Sequence, residues 1–361
     1  MHRKIKMKSI IAIFLAIIAV VLVFQTVELL KNTQTKNIQQ SISEDEIKTI
    51  KIGFSLGTLK EERWMKDRDI LMAKVTELGA DIIVLNANND DQDQLKQVRY
   101  LLEQNIDVLV LVPNDHGKAA AAVGLAKRHG VKVISYDRLV LNSNVDLYIS
   151  FDNERVGELM AQHVLGKMAH GNLLIINGAT SDNNTRQIKQ GYNRILGQKI
   201  EDGSINLLAE EWAPNWMKEY AFQVTDEILQ RGEKIDAIIA GNDGLADGVI
   251  QALAQYRLAG QTIVVGQDAD IAATQRIVEG TQLMTVYKPI EKLAEATARM
   301  AIQLAKGGEL TNIRNTIYDG TYEVPYYVLE PIAVDKKNID DTIIKDGFHR
   351  IDEVYRNLSK D

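Results

Sequence analysis

From Thr49 onward this 361-residue chain repeats one pattern: a short apolar run, a turn, then an amphipathic segment of helical period. Residues 50–55, 81–85, 107–112 and 131–136 read as strands, and 63–78, 91–104 and 117–129 as helices, with Gly79 and Pro113 acting as stops. Such units in succession require a parallel sheet with helices on both faces. The crossovers should be right-handed, and functional groups should gather at the carboxyl ends of the strands. A second run follows, with strands expected at 172–176, 205–209, 236–240, 263–266 and 284–287. Its helices are expected at 184–196, 215–231, 244–255, 271–279 and 289–306. The expected fold class is therefore α/β: two doubly wound parallel-sheet lobes with a cleft between them and a hinge.

The N-terminus obeys a different rule. Arg3, Lys4, Lys6 and Lys8 precede an uncharged run from Ser9 to Val27. As a helix this run spans about 28 Å, close to the hydrocarbon thickness of a bilayer. The basic flank, 1–8, should stay in the cytoplasm and leave the rest of the chain outside. The run ends in Phe24-Gln25-Thr26-Val27 and offers no small-x-small cleavage site. Residues 9–30 are therefore expected to be an uncleaved transmembrane anchor, with a cleaved signal peptide as the alternative. The polar segment 31–47 reads as a stalk or helical spacer.

Composition narrows the function. A formal charge of −7, with bases interspersed among acids, argues against nucleic acid as a partner. The absence of cysteine removes disulfides, thiol nucleophiles, thiolate metal sites and N-terminal lipidation on Cys. The six histidines show no metal-ligand spacing; His163 and His170 are the nearest approach to one. No dinucleotide or phosphate-loop signature is present, so no cofactor is expected. Gly53-Phe54-Ser55-Leu56-Gly57 matches a hydrolase nucleophile elbow, which would make Ser55 a nucleophile. It lies on the first strand, however, and does not lead directly into a helix, so hydrolase chemistry is the lesser reading.

The remaining polar residues cluster at strand ends: Tyr136-Asp137-Arg138, Ser181-Asp182-Asn183-Asn184, Gly241-Asn242-Asp243, Gln267-Asp268 and Tyr287-Lys288. Each could simply cap a helix or make a turn, and Asp182 and Asp243 suit that role well. Together they make the set a neutral sugar needs. Carboxylates accept from hydroxyls, and Arg, Lys and Asn donate to them. Flat aromatic walls cover the apolar ring faces. Trp64, Trp212 and Trp216 are the only tryptophans.

At these residues the chain resembles the type I periplasmic sugar-binding proteins, and among them the members that bind D-xylose. The similar stretches include Glu62-Arg63-Trp64, Tyr136-Asp137-Arg138, Tyr148-Ile149-Ser150-Phe151-Asp152-Asn153-Glu154, Gly266-Gln267-Asp268-Ala269-Asp270, Met284-Thr285-Val286-Tyr287-Lys288-Pro289 and Ile344-Lys345-Asp346-Gly347-Phe348-His349. The resemblance implies a pentose, D-xylose or similar, held between lobes. Arg63, Trp64, Asp137 and Arg138 would act from the N-terminal lobe. Asn184, Trp216, Asn242 and Asp268 would act from the C-terminal lobe, and Lys288 from the hinge side. Trp212 and Trp216 are not separated by sequence alone; Trp216 is favoured because Asn215-Trp216 is expected to begin a helix. Arg186 would be only nearby. The lobes are expected to comprise 48–150 with about 289–322, and 151–288 with about 323–349, leaving a tail at 350–361. A tethered receptor suits signalling to a membrane sensor histidine kinase; the alternative partner is the permease of an ABC-type importer.

Overall fold

The computed structural model describes residues 2–44 and 49–358. Residues up to Thr49 form one unit and Ile50 onward another. The first unit is a single helix, α1 (His2–Glu44). Within it Ile10–Gln34 is long and apolar enough to cross a membrane, and its side chains are unburied. Apolar residues such as Phe14, Leu22 and Phe24 are exposed around its whole circumference, as lipid contact requires and a water-facing helix does not. The expected spacer is thus helical through Glu44; its end, 45–47, lies outside the described residues.

The second unit runs β1 (Lys51–Leu56), α2 (Glu62–Glu77), β2 (Asp81–Asn86), α3 (Asp91–Glu103), β3 (Val108–Val112), α4 (Ala120–Arg128), β4 (Lys132–Tyr136) and β5 (Leu147–Phe151). It continues α5 (Asn153–Leu165), β6 (Gly171–Asn177), α6 (Asn183–Glu201), β7 (Ile205–Trp212), α7 (Lys218–Gln230), β8 (Ala237–Ala240), α8 (Asp243–Gln255), β9 (Ile263–Gln267), α9 (Ile271–Glu279) and β10 (Met284–Tyr287). It closes with α10 (Ile290–Ala305), β11 (Asn315–Tyr318), β12 (Glu323–Leu329), β13 (Ile332–Asp335), a π-helical turn at Asp340–Ile344, and α11 (Ile351–Val354).

Two sheets result, ordered β11-β12-β5-β4-β3-β1-β2 and β13-β10-β9-β8-β6-β7. β3, Val-Leu-Val-Leu-Val, is buried throughout because helices cover both its faces. Helices α5 and α6 cross at near-backbone contact. A Cβ on Gly157 would lie 2.0 Å from the Ile188 carbonyl oxygen, and one on Gly191 would lie 1.9 Å from that of Glu154.

The chain passes between lobes three times: after β5, between β10 and α10, and between β12 and β13. The third passage corrects an expectation. β12 (Glu323–Leu329) pairs in parallel with β5 and belongs to the first lobe, not the second. The expected tail also begins as structure: in α11 the Val354 side chain is buried against Val334, Ile339 and Ile343. Its last residues, 359–361, lie outside the described ones. Ser55 is not at an elbow. It sits within β1, fully buried, with its hydroxyl 3.4 Å from Gln97 Oε1.

The lobes are in contact across the cleft. The His116 amide donates to the Ser181 carbonyl at 2.9 Å, and Lys60 Nζ reaches the Asn215 and Trp216 carbonyls at 3.2 and 3.3 Å.

Candidate functional site

Arg63 and Trp64 enter the cleft because they occupy the first turn of α2, directly after the loop that follows β1. The Arg63 guanidinium is 4% exposed and bridges three carboxylates: Asp67 one turn along α2 at 3.2 Å, Asp137 at 2.7 Å and Asp268 at 3.4 Å. Asp67 also accepts from the Tyr136 hydroxyl. Burial depresses the Arg63 pKa, but Asp137, Asp67 and Asp268 outweigh it and raise the pKa well above its ordinary value. Burial pushes Asp67 up to about 6 despite the opposing pull of Arg63.

Asp137 closes β4 in the left-handed region, at φ 61, which aspartate tolerates better than most residues. Its carbonyl oxygen accepts from Tyr148, Ser150 and Asn184, which fixes the turn from both lobes. Burial works to raise the Asp137 carboxyl, but Arg63, Lys288 and Arg138 prevail and hold it below the usual range. The next residue, Arg138, places Nε 2.7 Å from Asp182 across the cleft, in an ion pair whose geometry makes no hydrogen bond. Asp182 is raised, because burial exceeds the attraction of Arg138. The guanidinium carbons of Arg63 and Arg138 lie 4.4 and 5.0 Å from the Trp64 ring centroid.

On the second lobe, Asn184 opens α6 and donates to the Asp137 carboxylate at 3.2 Å. Asn242 caps α8, its side chain accepting from the Leu245 amide at 2.8 Å. Asp268 follows β9 at φ 93 and lies 3.2 Å from Lys288 Nζ. Lys288 emerges from β10 at the second passage between lobes.

All nine residues expected at the site line one cavity: Arg63, Trp64, Asp137, Arg138, Asn184, Trp216, Asn242, Asp268 and Lys288. Three more complete the lining, Glu61, Asp182 and Gln267. Trp216 is there and Trp212 is not; the latter packs 5.7 Å from Lys189 Nζ. The helix expected to begin at Asn215 begins instead at Lys218. Asn215 and Trp216 are both left-handed, at φ 48 and 55, and this turn rather than a helix presents the indole. Arg186 is exposed and outside the lining.

The free space left between these side chains is only about 20 Å³, so the lining from the two lobes is drawn closely together. Three cationic side chains face four carboxylates, so the lining favours no strongly charged ligand. Six buried side-chain polar atoms among the described residues have no hydrogen-bond partner within the protein. Four of them belong to this lining; Arg138 Nε is held in its ion pair with Asp182, which leaves Glu61 Oε2, Trp216 Nε1 and Gln267 Oε1 without any partner. A buried polar atom without a partner costs about 1–3 kcal/mol. Two acceptors and one donor around one small space suit a ligand that both donates and accepts, with two indoles for its apolar faces.

Comparison with known proteins gives the same direction. The family model described as periplasmic binding protein domain matches residues 52–309. The chain is 42% identical over 309 residues to the D-xylose-binding periplasmic protein of Haemophilus influenzae, covering 85% of this chain and 93% of that protein. It is 40% identical over 308 residues to the D-xylose-binding periplasmic protein of Escherichia coli, covering 85% and 93%. Among solved structures, the carbohydrate transporter solute binding protein of Chloroflexus aurantiacus, in complex with D-glucose, superposes with a TM-score of 0.80 at 28% identity. That match covers 84% of this chain and 98% of the other. The ABC transporter solute binding protein of Clostridium phytofermentans, with bound β-D-glucose, gives 0.78 at 27% identity, covering 84% and 99%.

Proposed function

The chain belongs to the type I periplasmic sugar-binding proteins, and from that premise we propose that it is a membrane-tethered D-xylose receptor that closes on the sugar and signals to a sensor histidine kinase. The observation that carries the ligand reading is the cavity lining, with its balanced charges, two indoles and three buried polar atoms lacking partners. The relatives at 40–42% identity that are described as D-xylose-binding support a pentose as the sugar.

In this reading the Asp137 and Asp268 carboxylates accept from sugar hydroxyls, while Arg63, Arg138, Asn184, Asn242 and Lys288 donate. Trp64 and Trp216 cover opposite ring faces. Because the groups come from both lobes, the sugar makes its full set of contacts only when they are together. It therefore shifts the population towards closure. Closure changes the outer surface offered to a membrane partner. The apolar stretch Ile10–Gln34 supports the tether and the position of the receptor outside the cytoplasm.

A second reading, the receptor of an ABC-type xylose importer, draws on similar solved structures described as ABC transporter solute binding proteins. Gene deletion separates the two. Loss of xylose-induced transcription with uptake intact supports the sensor; loss of uptake in cells already expressing the importer supports the second reading. The ligand is tested by titrating the full chain, in detergent, with D-xylose, D-ribose, L-arabinose and D-glucose by calorimetry. Absence of heat with D-xylose sinks the ligand assignment.

A further inference from the structure

We propose that Glu62 and Lys66 form a latch that holds the lobes closed from outside the ligand cavity, setting affinity without contributing to choice of sugar. The proposal rests on the reading of this protein as a closing sugar receptor, and it adds positioning residues that touch no ligand.

Glu62 and Lys66 stand one helical turn apart on α2, in the first lobe, and neither lines the cavity. Both reach the second lobe. Glu62 Oε2 accepts from the Ile271 amide at 3.1 Å. Ile271 is the first residue of α9, and Asp270 before it makes no side-chain cap. The cap of α9 is thus supplied by the opposite lobe, and the Glu62 carboxylate meets the positive end of that helix.

Lys66 makes the companion contact. Its Nζ donates to the Phe348 carbonyl at 3.2 Å and lies 3.9 Å from the Phe348 ring centroid. It also meets His349 Nδ1 at 3.2 Å. His349 Nε2 is 2.7 Å from the Ala269 carbonyl oxygen, so Nε2 carries the proton and Nδ1 accepts from Lys66. Ala269 adjoins Asp268 of the cavity, so the latch ends on the backbone that aims a cavity carboxylate. A Glu62–Lys66 ion pair at 3.2 Å ties the two arms together.

These contacts exist only while the lobes are together. They lower the free energy of the closed state by the same amount whatever sugar is inside. Their loss should raise every dissociation constant by one common factor.

The test uses the full chain with Asp69→Cys on α2 and Lys345→Cys beside the π-helical turn, spin-labelled. The chain has no other cysteine. Distance distributions between the labels report the closed fraction with and without D-xylose. In Lys66→Met and Glu62→Gln the closed fraction without sugar should fall. Dissociation constants for D-xylose and D-glucose should rise together, by about tenfold, through faster release. Lys66→Arg should retain most of the latch and stay near the wild-type dissociation constants. An unchanged closed fraction in both variants overturns the latch, as does a changed ratio of the D-xylose and D-glucose dissociation constants. If D-xylose gives no heat with the wild type in calorimetry, the sugar reading fails, while the sugar-free comparison of closed fractions still decides the latch.

Discussion

Gly178 lies beneath the Trp216 indole so closely that a Cβ built on it would sit 2.2 Å from ring atom Cη2. The second-lobe aromatic wall therefore rests on the bare backbone of the residue after β6. In Gly178→Ala the indole must move. Sugar affinity should fall about tenfold, or about 1.4 kcal/mol, with folding retained. Calorimetry measures the first and circular dichroism the second; unaltered affinity would separate Trp216 from the ligand.

Asp268 stands between two buried cations, Arg63 and Lys288, at 3.4 and 3.2 Å. Asp268→Ala leaves both cations without that carboxylate. Arg138→Ala likewise deprives Asp182 of its partner. Each change should weaken D-xylose binding by about 2–5 kcal/mol, since breaking a buried charge pair exposes its uncompensated member. Wild-type affinity in either variant would remove that residue from the site.

His349 gives a pH signature. Burial, aided by Lys66 of α2, holds its pKa below the ordinary value; the Ala269 carbonyl, Glu62 of α2 and Glu353 of α11 pull the other way. A depressed histidine favours the neutral form in the folded state. Its contribution is complete above the unfolded pKa of about 6.5 and is lost as pH falls through the folded value. Melting temperature should therefore drop more steeply below pH 6.5 in wild type than in His349→Gln. Parallel profiles would show that the imidazole carries no such linkage.

The helix α1 predicts how the chain fractionates. Full-length protein should remain with the membrane pellet after an alkaline carbonate wash, and a form lacking residues 2–34 should appear in the supernatant. Release of the full-length chain, or a mature N-terminus beyond Val27, would mark the segment as a removed signal.

Most of the β/α order was legible because interior parallel strands are unbroken apolar runs, as in Val108–Val112. The strand Leu147–Phe151 was not, because no helix separates it from β4; the connecting residues include the Asp137 turn. The sequence pattern assigns β12 to the wrong lobe for a different reason. Its partner, β5, is remote in sequence, and Pro325 inside it reads against a strand. The strand-end polar residues identified the cavity because the carboxyl ends of both sheets converge there. Asp182 belongs to that set and also suits a cap, and it does both: it caps α6 by accepting from the Asn184 amide, and it pairs with Arg138. Gln267 stands in the same strand-end set, but as the last residue of β9 it carries no signal of its own that its side chain enters the cavity. Glu61 had a faint signal, an acid at the N-cap of α2 that makes no cap bond.

The three passages between lobes lie side by side. The Asp152 amide donates to the Leu329 carbonyl, joining the first to the third, and Tyr287 pairs with Ile332, joining the second to the third. Three hydrogen-bonded neighbouring passages should favour bending about the line they share over twisting across it. On the proposed sensor reading, the output is then one angle rather than a family of poses. A membrane partner that read this angle would receive a single quantity, and any finer distinction between sugars would have to be made inside the cavity before the angle changes.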